Sequence, residues 1–190
     1  MIVIKLSRVV FVLFIILLIA GCGPTLVVDR TTEGQPILIR SPQPDLDDLK
    51  KLYNDYKINT IINLRGAEIA ENPNVKWHSE EKCFSRTVNI TYLTMDLNDG
   101  TQPPSKADID LYLHIMSDRN FWPVLIHCQA GIHRTGFFTA LYRIQFNVWT
   151  PEEAIKEMES YWYNWSISDR SAIKAFLRHF QPYELKQGDK

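Results

Sequence analysis

The longest apolar run of the chain lies close to its start. Residues 9–20 are twelve consecutive apolar positions, and Lys5 and Arg8 precede them. Twelve residues rise only about 18 Å as a helix, short of the ~30 Å hydrocarbon core of a bilayer. A basic start followed by a short apolar run is typical of a signal peptide. The pattern predicts that residues 1–21 are a leader outside the fold.

Further along, short β-rich apolar segments alternate with amphipathic helical patterns. The predicted strands are Pro36–Arg40, Thr60–Leu64, Val88–Leu93 and Pro123–His127. The predicted helices cover residues 45–56, 77–84, a stretch capped by Ser105, residues 135–146, a stretch capped by Thr150, and a last one from Ser168 or Asp169. Strands separated by helices favour an α/β domain with a mostly parallel sheet and helices on both faces.

Composition narrows the domain organisation. The chain has 190 residues, 45% of them hydrophobic, and a formal net charge of -1. That length suits one domain with a real core, and no basic surplus indicates nucleic-acid binding. Residues 22–35 are polar with Pro and Gly, so we expect a short tether there and a single catalytic domain over residues 36–190.

The main candidates for a functional site lie between the last predicted strand and an apolar helix. His127-Cys128-Gln129-Ala130-Gly131-Ile132-His133-Arg134-Thr135-Gly136 runs through this turn. Backbone N–H groups of a strand–loop–helix turn converge on an anion, and the same donors stabilise a thiolate at its base. Arg134 carries a planar fork that can hold two phosphate oxygens. An isolated Cys128 is more often a buried structural thiol.

These ten residues resemble the H-C-x5-R-[ST]-G signature of the protein tyrosine and dual-specificity phosphatase superfamily. The resemblance implies a three-layer phosphatase fold and a phosphocysteine intermediate on Cys128. It also implies stabilisation of the transferring group by Arg134, and help from Thr135 when sulfur leaves. No metal and no cofactor is implied. Residues implied to bind the phosphate group are Gln129, Ala130, Gly131, Ile132, His133, Arg134 and Thr135.

The same resemblance implies a general acid on a loop upstream. Residues 95–104 follow a predicted strand and contain two aspartates, Asp96 and Asp99. Asp99 is favoured because Asp-Gly with prolines nearby suits an exposed loop tip. Asp96, which lies 32 residues before Cys128, remains the alternative.

The end of the leader carries its own signal. Ile19-Ala20-Gly21-Cys22 resembles the processing site of bacterial lipoproteins, which implies acylation of Cys22. We therefore expect a chain anchored by lipid in the bacterial cell envelope, on the periplasmic face, with the outer membrane as the predicted site. The expected partners are that membrane and a phosphorylated protein or small phosphate ester.

Some residues allow alternative interpretations. Arg65, after the second predicted strand, is expected to form a structural ion pair rather than to contact substrate. Cys83 is expected to be a buried free thiol, with a disulfide to Cys128 as the alternative. Rival functions for the loop are a sulfurtransferase, an arsenate reductase or a phosphate-recognition module. The loop's late position and the completeness of its residue set argue against them.

Overall fold

A five-stranded sheet forms the centre of the computed structural model, which describes residues 24–97, 101–161 and 170–184. The strands lie side by side in the order β1-β2-β5-β3-β4. Only β1 is antiparallel to its neighbour; the others are parallel. The strands are β1 Leu26–Arg30, β2 Pro36–Ser41, β3 Thr60–Asn63, β4 Thr91–Thr94 and β5 Val124–His127. This is the α/β architecture predicted from the sequence.

Helices cover both faces of this sheet. They are α1 Leu46–Tyr56, α2 Gly66–Glu71, α3 Lys76–Val88, α4 Lys106–Ser117, α5 His133–Phe146, α6 Pro151–Ser160 and α7 Ser171–His179, with a 3-10 turn at Arg119–Phe121. Three begin at side chains that accept a hydrogen bond from the first turn: Asp45, Ser105 and Thr150. None of the helices in the described ranges is both long enough and apolar enough to cross a bilayer.

Alternation along the strands divides the core into two layers. In β5, Leu125 packs with α1 residues, whereas Val124 and Ile126 pack with residues of α4 and α5. Ile61 and Ile62 of β3 divide in the same way. A strand buried on both faces has no polar side to alternate with, which explains its apolar sequence.

One predicted boundary is wrong. The expected tether over residues 22–35 contains β1, whose Leu26 is aligned with Arg40 of β2. Tyr142 donates to the Asp29 carboxylate at 2.7 Å, and Arg143 donates to the Val28 carbonyl at 3.1 Å. These partners come from α5, so the chain from Leu26 onward belongs to the domain.

Other differences concern the ends and number of elements. The helix predicted at residues 77–84 continues to Val88, so the next strand starts at Thr91 rather than Val88. The short helix α2 was not predicted. Its start is fixed by tertiary contact, because the N–H of Gly66 donates to the Met95 carbonyl at 2.8 Å. A Cβ at Gly66 would lie 2.5 Å from that same oxygen.

Candidate active site

Cys128 lies directly after β5, in the middle of the sheet. The parallel strands β2, β3, β4 and β5 all end at one edge, which we call the catalytic edge. Open α/β sheets bind ligands beyond the carboxyl ends of their strands. The Cys128 side chain is only 2% exposed, and α5 begins at His133 just after it. The predicted strand–loop–helix turn is therefore present.

The loop backbone is shaped by Gly131. Its φ of +67° lies in the left-handed region, which suits glycine. A Cβ at this position would lie 2.5 Å from the Pro42 nitrogen and 2.6 Å from the Ser41 carbonyl, so no side chain fits. Arg40, buried to 1% exposure, donates from Nη2 to the Gly131 carbonyl at 2.7 Å. That bond turns the carbonyl oxygen of Gly131 toward Arg40.

The thiol of Cys128 has a lowered pKa. Burial raises the pKa, but hydrogen bonds from the side chain and backbone of Thr135, the charge of Arg134 and the Gly131 backbone outweigh it. The buried Thr135 hydroxyl has no other partner within the described part of the chain. It is therefore available to donate to the sulfur. Because a thiolate is the nucleophilic form, this surrounding prepares Cys128 for attack on an electrophile.

Arg134 is held from the side of β3. Its Nη1 donates to the Leu64 carbonyl at 3.0 Å and to Glu68 Oε1 at 2.9 Å. Glu68 also accepts from Nε of Arg65 at 2.8 Å, and the Arg65 guanidinium lies 3.8 Å over the Trp77 ring. The predicted structural ion pair of Arg65 is confirmed. Both bonds of Arg134 use Nη1, whereas binding of two phosphate oxygens uses two nitrogens of the fork.

A chain of close polar contacts connects the two ends of the loop. Nε2 of His127 lies 2.9 Å from Glu81 Oε1, and Glu81 is 2% exposed. The same oxygen accepts from Gln43 Nε2 at 3.0 Å. Gln43 Oε1 then accepts from Arg65 Nη1 at 3.0 Å, and Arg65 pairs with Glu68. The chain runs through His127, Glu81, Gln43, Arg65, Glu68 and Arg134, and we call it the polar chain.

Glu81 carries charge within this chain. Burial raises its pKa, but His127 and the hydrogen bonds from Asn63 and Tyr92 outweigh burial, so the pKa of Glu81 is lowered. Asn63 donates to Glu81 Oε2 at 2.6 Å, and the Tyr92 hydroxyl donates to the same oxygen at 3.1 Å. A buried carboxylate with this many donors is stable as an anion.

Asp96 lies where β4 ends, two strands from Cys128. It lines a cavity of about 100 Å³ together with Arg134 and Asp108. Asp108 is engaged with its own helix start, because its carboxylate accepts from Ser105 at 2.6 Å. Asp96 is exposed at the surface. Asp99, the favoured acid, lies outside the described residues, as does Cys22.

The remaining loop residues take the following places. Gln129 is exposed, and its carbonyl accepts from the Gln43 N–H at 3.0 Å. Ala130, His133 and Arg134 are half-buried, and Gly131, Ile132 and Thr135 are buried. Within the described ranges, no group of three His, Cys, Asp or Glu side chains is arranged to hold a metal ion.

Sequence reasoning missed four residues that shape this site: Arg40, Gln43, Glu68 and Glu81. Each is close to the loop only through the topology of the sheet, since none lies in a motif. One expectation was wrong: Cys83 is exposed on α3 rather than buried, and both Cys83 and Cys128 are free thiols. A signal for Arg40 was available, because an arginine at the end of an apolar strand needs a buried partner.

Comparison with known proteins shows which family the chain is similar to. Residues 28–174 match the model of the family described as "DSP-PTPase phosphatase fused to NAD+ Kinase". Among curated proteins, the dual specificity protein phosphatase TpbA of Pseudomonas aeruginosa is 49% identical over 37 residues. That match spans 20% of this chain and 17% of TpbA.

Solved structures share the fold at low identity. The catalytic domain of the PP-IP phosphatase Siw14 from S. cerevisiae has a TM-score of 0.59 at 19% identity, over 76% of this chain and 80% of that one. PTPMT1 has a TM-score of 0.59 at 20% identity, over 82% and 92%. TpbA has a TM-score of 0.52 at 20% identity, over 76% and 81%. The family match covers most of this chain, and the chain therefore belongs to the DSP-PTPase family, whose members are phosphoric monoester hydrolases.

Proposed function

We propose that this protein hydrolyses phosphate monoesters through a phosphocysteine on Cys128. The observation that carries the proposal is a buried thiol with a lowered pKa, in a loop that also contains Arg134. Burial alone would raise the pKa of a thiol, so the donors around the sulfur are arranged for negative charge. A phosphoryl group in the loop meets those same donors.

The reaction has two steps. The Cys128 sulfur forms a bond to phosphorus while the bond from phosphorus to the leaving oxygen breaks, and that oxygen takes a proton from an aspartic acid. Loop N–H groups and Arg134 hold the equatorial oxygens. Water then attacks phosphorus, the aspartate takes a proton from it, and the sulfur leaves as a thiolate stabilised by Thr135.

For the acid, Asp96 now has a structural argument. It lines the same cavity as Arg134 and sits at the end of a strand next to β3. We therefore assign the acid to Asp96, with Asp99, which the sequence favoured, as the alternative.

The proposed substrates are esters that carry a single phosphate group. Positions 129–133 of the loop contain no Lys or Arg, and Arg134 is the one Lys or Arg among the described residues that line the cavity. Such surroundings favour one phosphate over a highly charged polyphosphate. Solved relatives include TpbA in complex with pTyr and PTPMT1 in complex with PI(5)P, so the fold accommodates both protein and lipid esters.

The proposed location is the bacterial cell envelope. The support is the sequence Ile19-Ala20-Gly21-Cys22 after an apolar run, which resembles a lipoprotein processing site. Acylation of Cys22 with two or more chains gives stable membrane anchoring, whereas one chain gives only reversible binding.

The test is hydrolysis of p-nitrophenyl phosphate by matched cysteine variants. Wild type is expected to turn over this ester, Cys128→Ser to lose activity by about 10⁴-fold or more, and Cys83→Ser to match wild type. Cys83 is a suitable control because it is an exposed thiol away from the loop. An inactive wild type that still binds phosphotyrosyl peptide would instead indicate a phosphate-recognition module.

A further inference from the structure

The start of the folded domain lies beside the catalytic loop. Leu26 is aligned with Arg40 of β2, Arg40 is aligned with Ile126 of β5, and Cys128 follows two residues after Ile126. Two strand spacings separate β1 from β5, so Leu26 is about 10 Å to the side of the loop. This placement follows from the antiparallel direction of β1.

The chain before Leu26 leaves the sheet on the same side. Since β1 is antiparallel to β2, its first residue lies at the catalytic edge, where β2 ends. Thr25 lines a surface cavity together with Pro42 and Pro44, which follow β2. Pro42 is the residue whose nitrogen closes over Gly131. Thr25 and the nucleophilic loop therefore share one side of the molecule.

Only Gly23, Pro24 and Thr25 separate Leu26 from Cys22. Four Cα steps span at most about 14 Å when fully extended. The polar headgroup layer of one leaflet is about 6 Å deep. An acylated Cys22 would hold Leu26 within roughly this reach of the bilayer, so the Cys128 loop, about 10 Å from Leu26, stays close to the bilayer as well.

We propose that the catalytic edge faces the surface of the membrane to which this chain is anchored, and that the site acts on phosphate monoesters of lipid headgroups there. The inference rests on the proposed lipid anchor and phosphatase activity. A phosphate that projects from the bilayer fits the space left by the short tether. A globular phosphoprotein does not fit there, because even a small domain has a diameter of about 30 Å. A membrane-facing site in this chain is therefore a consequence of strand direction and tether length.

The orientation is tested without using catalysis. In a full-length chain carrying Cys83→Ser and Cys128→Ser, a fluorophore is attached to Asp47→Cys or to Asn54→Cys. Both native side chains are exposed on α1, which starts at the catalytic edge, and seven residues place them about 10 Å apart along the helix. In vesicles with a nitroxide on the lipid headgroup, we expect stronger quenching at position 47 than at 54.

A variant with a longer tether tests whether tether length causes this difference in quenching. Twenty Gly and Ser residues inserted between Gly23 and Pro24 leave the anchor and the domain unchanged, and should remove the difference between positions 47 and 54. Equal quenching at the two positions in the native-length chain would overturn the orientation. Failure to incorporate labelled palmitate at Cys22 would overturn the inference as a whole.

The proposed lipid substrate is tested with the acylated, otherwise native chain in phosphatidylcholine vesicles. We expect this protein to hydrolyse phosphatidic acid in the same vesicles. On a soluble tyrosine-phosphorylated globular domain, we expect its turnover to be about tenfold or more below that of the spacer variant. p-Nitrophenyl phosphate serves as reference and should be hydrolysed equally by both. If the reference alone is hydrolysed, the lipid substrate is wrong while the phosphatase proposal stands. If nothing is hydrolysed, the phosphatase proposal fails and the quenching result still decides the orientation.

Discussion

Thr135 and Arg134 lower the pKa of the Cys128 thiol despite its burial. Burial of a thiol opposes ionisation, yet the pKa of Cys128 is lowered because Thr135, Arg134 and Gly131 direct donors and charge at the sulfur. The ionised fraction of Cys128 at a given pH is thus a property of its neighbours. Single substitutions at these neighbours separate their contributions.

Thr135→Ala should raise the pKa of Cys128, because it removes the side-chain hydrogen bond to the thiolate. Iodoacetate alkylates the thiolate, so inactivation begins near the pKa of Cys128. It should therefore begin at a higher pH in the variant than in wild type. Loss of one hydrogen bond to a charged group also slows departure of sulfur by about ten- to a hundredfold. The pH dependence of alkylation and single-turnover kinetics measure the two effects. An unchanged alkylation profile would contradict this role.

Gly131→Ala should reduce kcat/KM by about a hundredfold or more, since displacement of a catalytic loop by 1 Å has effects of that size. The added Cβ meets the Pro42 nitrogen at 2.5 Å. Gly34→Ala is the matched control: its φ of +85° carries the same backbone strain, but nothing lies within 4 Å of the added Cβ. Steady-state kinetics should show near-wild-type activity for the control. Equal losses in both variants would mean that strain, not the contact, matters.

At the scale of elements, the site is assembled from segments distant in sequence. Gln43 comes after β2, Arg65 after β3, and Glu81 from the middle of α3. The polar chain links these segments to His127 before Cys128 and to Arg134 after it. The polar chain therefore contacts the loop at both of its ends.

Glu81→Gln should destabilise the domain by about 1–3 kcal/mol, because the buried carboxylate accepts from Asn63, Tyr92 and Gln43, and the amide replaces one acceptor oxygen with a donor. Glu80→Gln is the control on the same helix: its pair with the exposed Lys76 is worth about 0–1 kcal/mol. Since the pKa of Glu81 is lowered, its stabilisation is full above the unfolded value of about 4.3 and is lost as pH falls through the folded pKa. Urea unfolding should show the difference between wild type and Glu81→Gln shrinking below about pH 4.

The identity of the acid is decided by pH–rate profiles. Asp96→Asn should lose the basic limb of kcat/KM for p-nitrophenyl phosphate and slow the reaction by about 10²–10⁴-fold for esters with poor leaving groups. Asp99→Asn should keep that limb. The reverse pattern would restore Asp99 as the acid.

The sequence predicted most strands, several helix starts and the Cys128 loop. The apolar runs of β2, β3 and β5 are buried on both faces, and capping residues mark the starts of α1, α4 and α6. The signature around Cys128 located the loop. Glu81, in contrast, lies among polar residues of α3 and resembles a solvated helix residue. Its burial depends on β5 lying next to β3, and local pattern carries no such information.

At the scale of the whole molecule, β1 closes the domain. Sequence pattern placed the domain start at residue 36 because the preceding stretch is short and polar. In the structure, Asp29 accepts from Tyr142 and from Asn147 at 2.8 Å, and Arg143 reaches the Val28 carbonyl. The edge strand thus ties the sheet to α5, the helix that follows the catalytic loop.

A chain starting at Pro24 should unfold cooperatively, and one starting at Pro36 should have a Tm lower by about 10 °C. Loss of buried Val28, of two hydrogen bonds from α5 and of one from Asn147 just after it accounts for about 4 kcal/mol. Each kcal/mol shifts Tm by about 2–4 °C in a domain of this size. Thermal unfolding followed by circular dichroism measures both. Equal Tm values would support the tether boundary at residue 36.

Chemical identification of the covalent intermediate tests the proposed mechanism. Wild-type protein is mixed with radiolabelled phosphotyrosyl peptide, quenched in acid during turnover, digested and sequenced by mass spectrometry. We predict a phosphoryl group on the Cys128 sulfur, absent in Cys128→Ser and accumulating further in Thr135→Ala. Turnover without a phosphoryl group on Cys128, or with one on another residue, would contradict the mechanism.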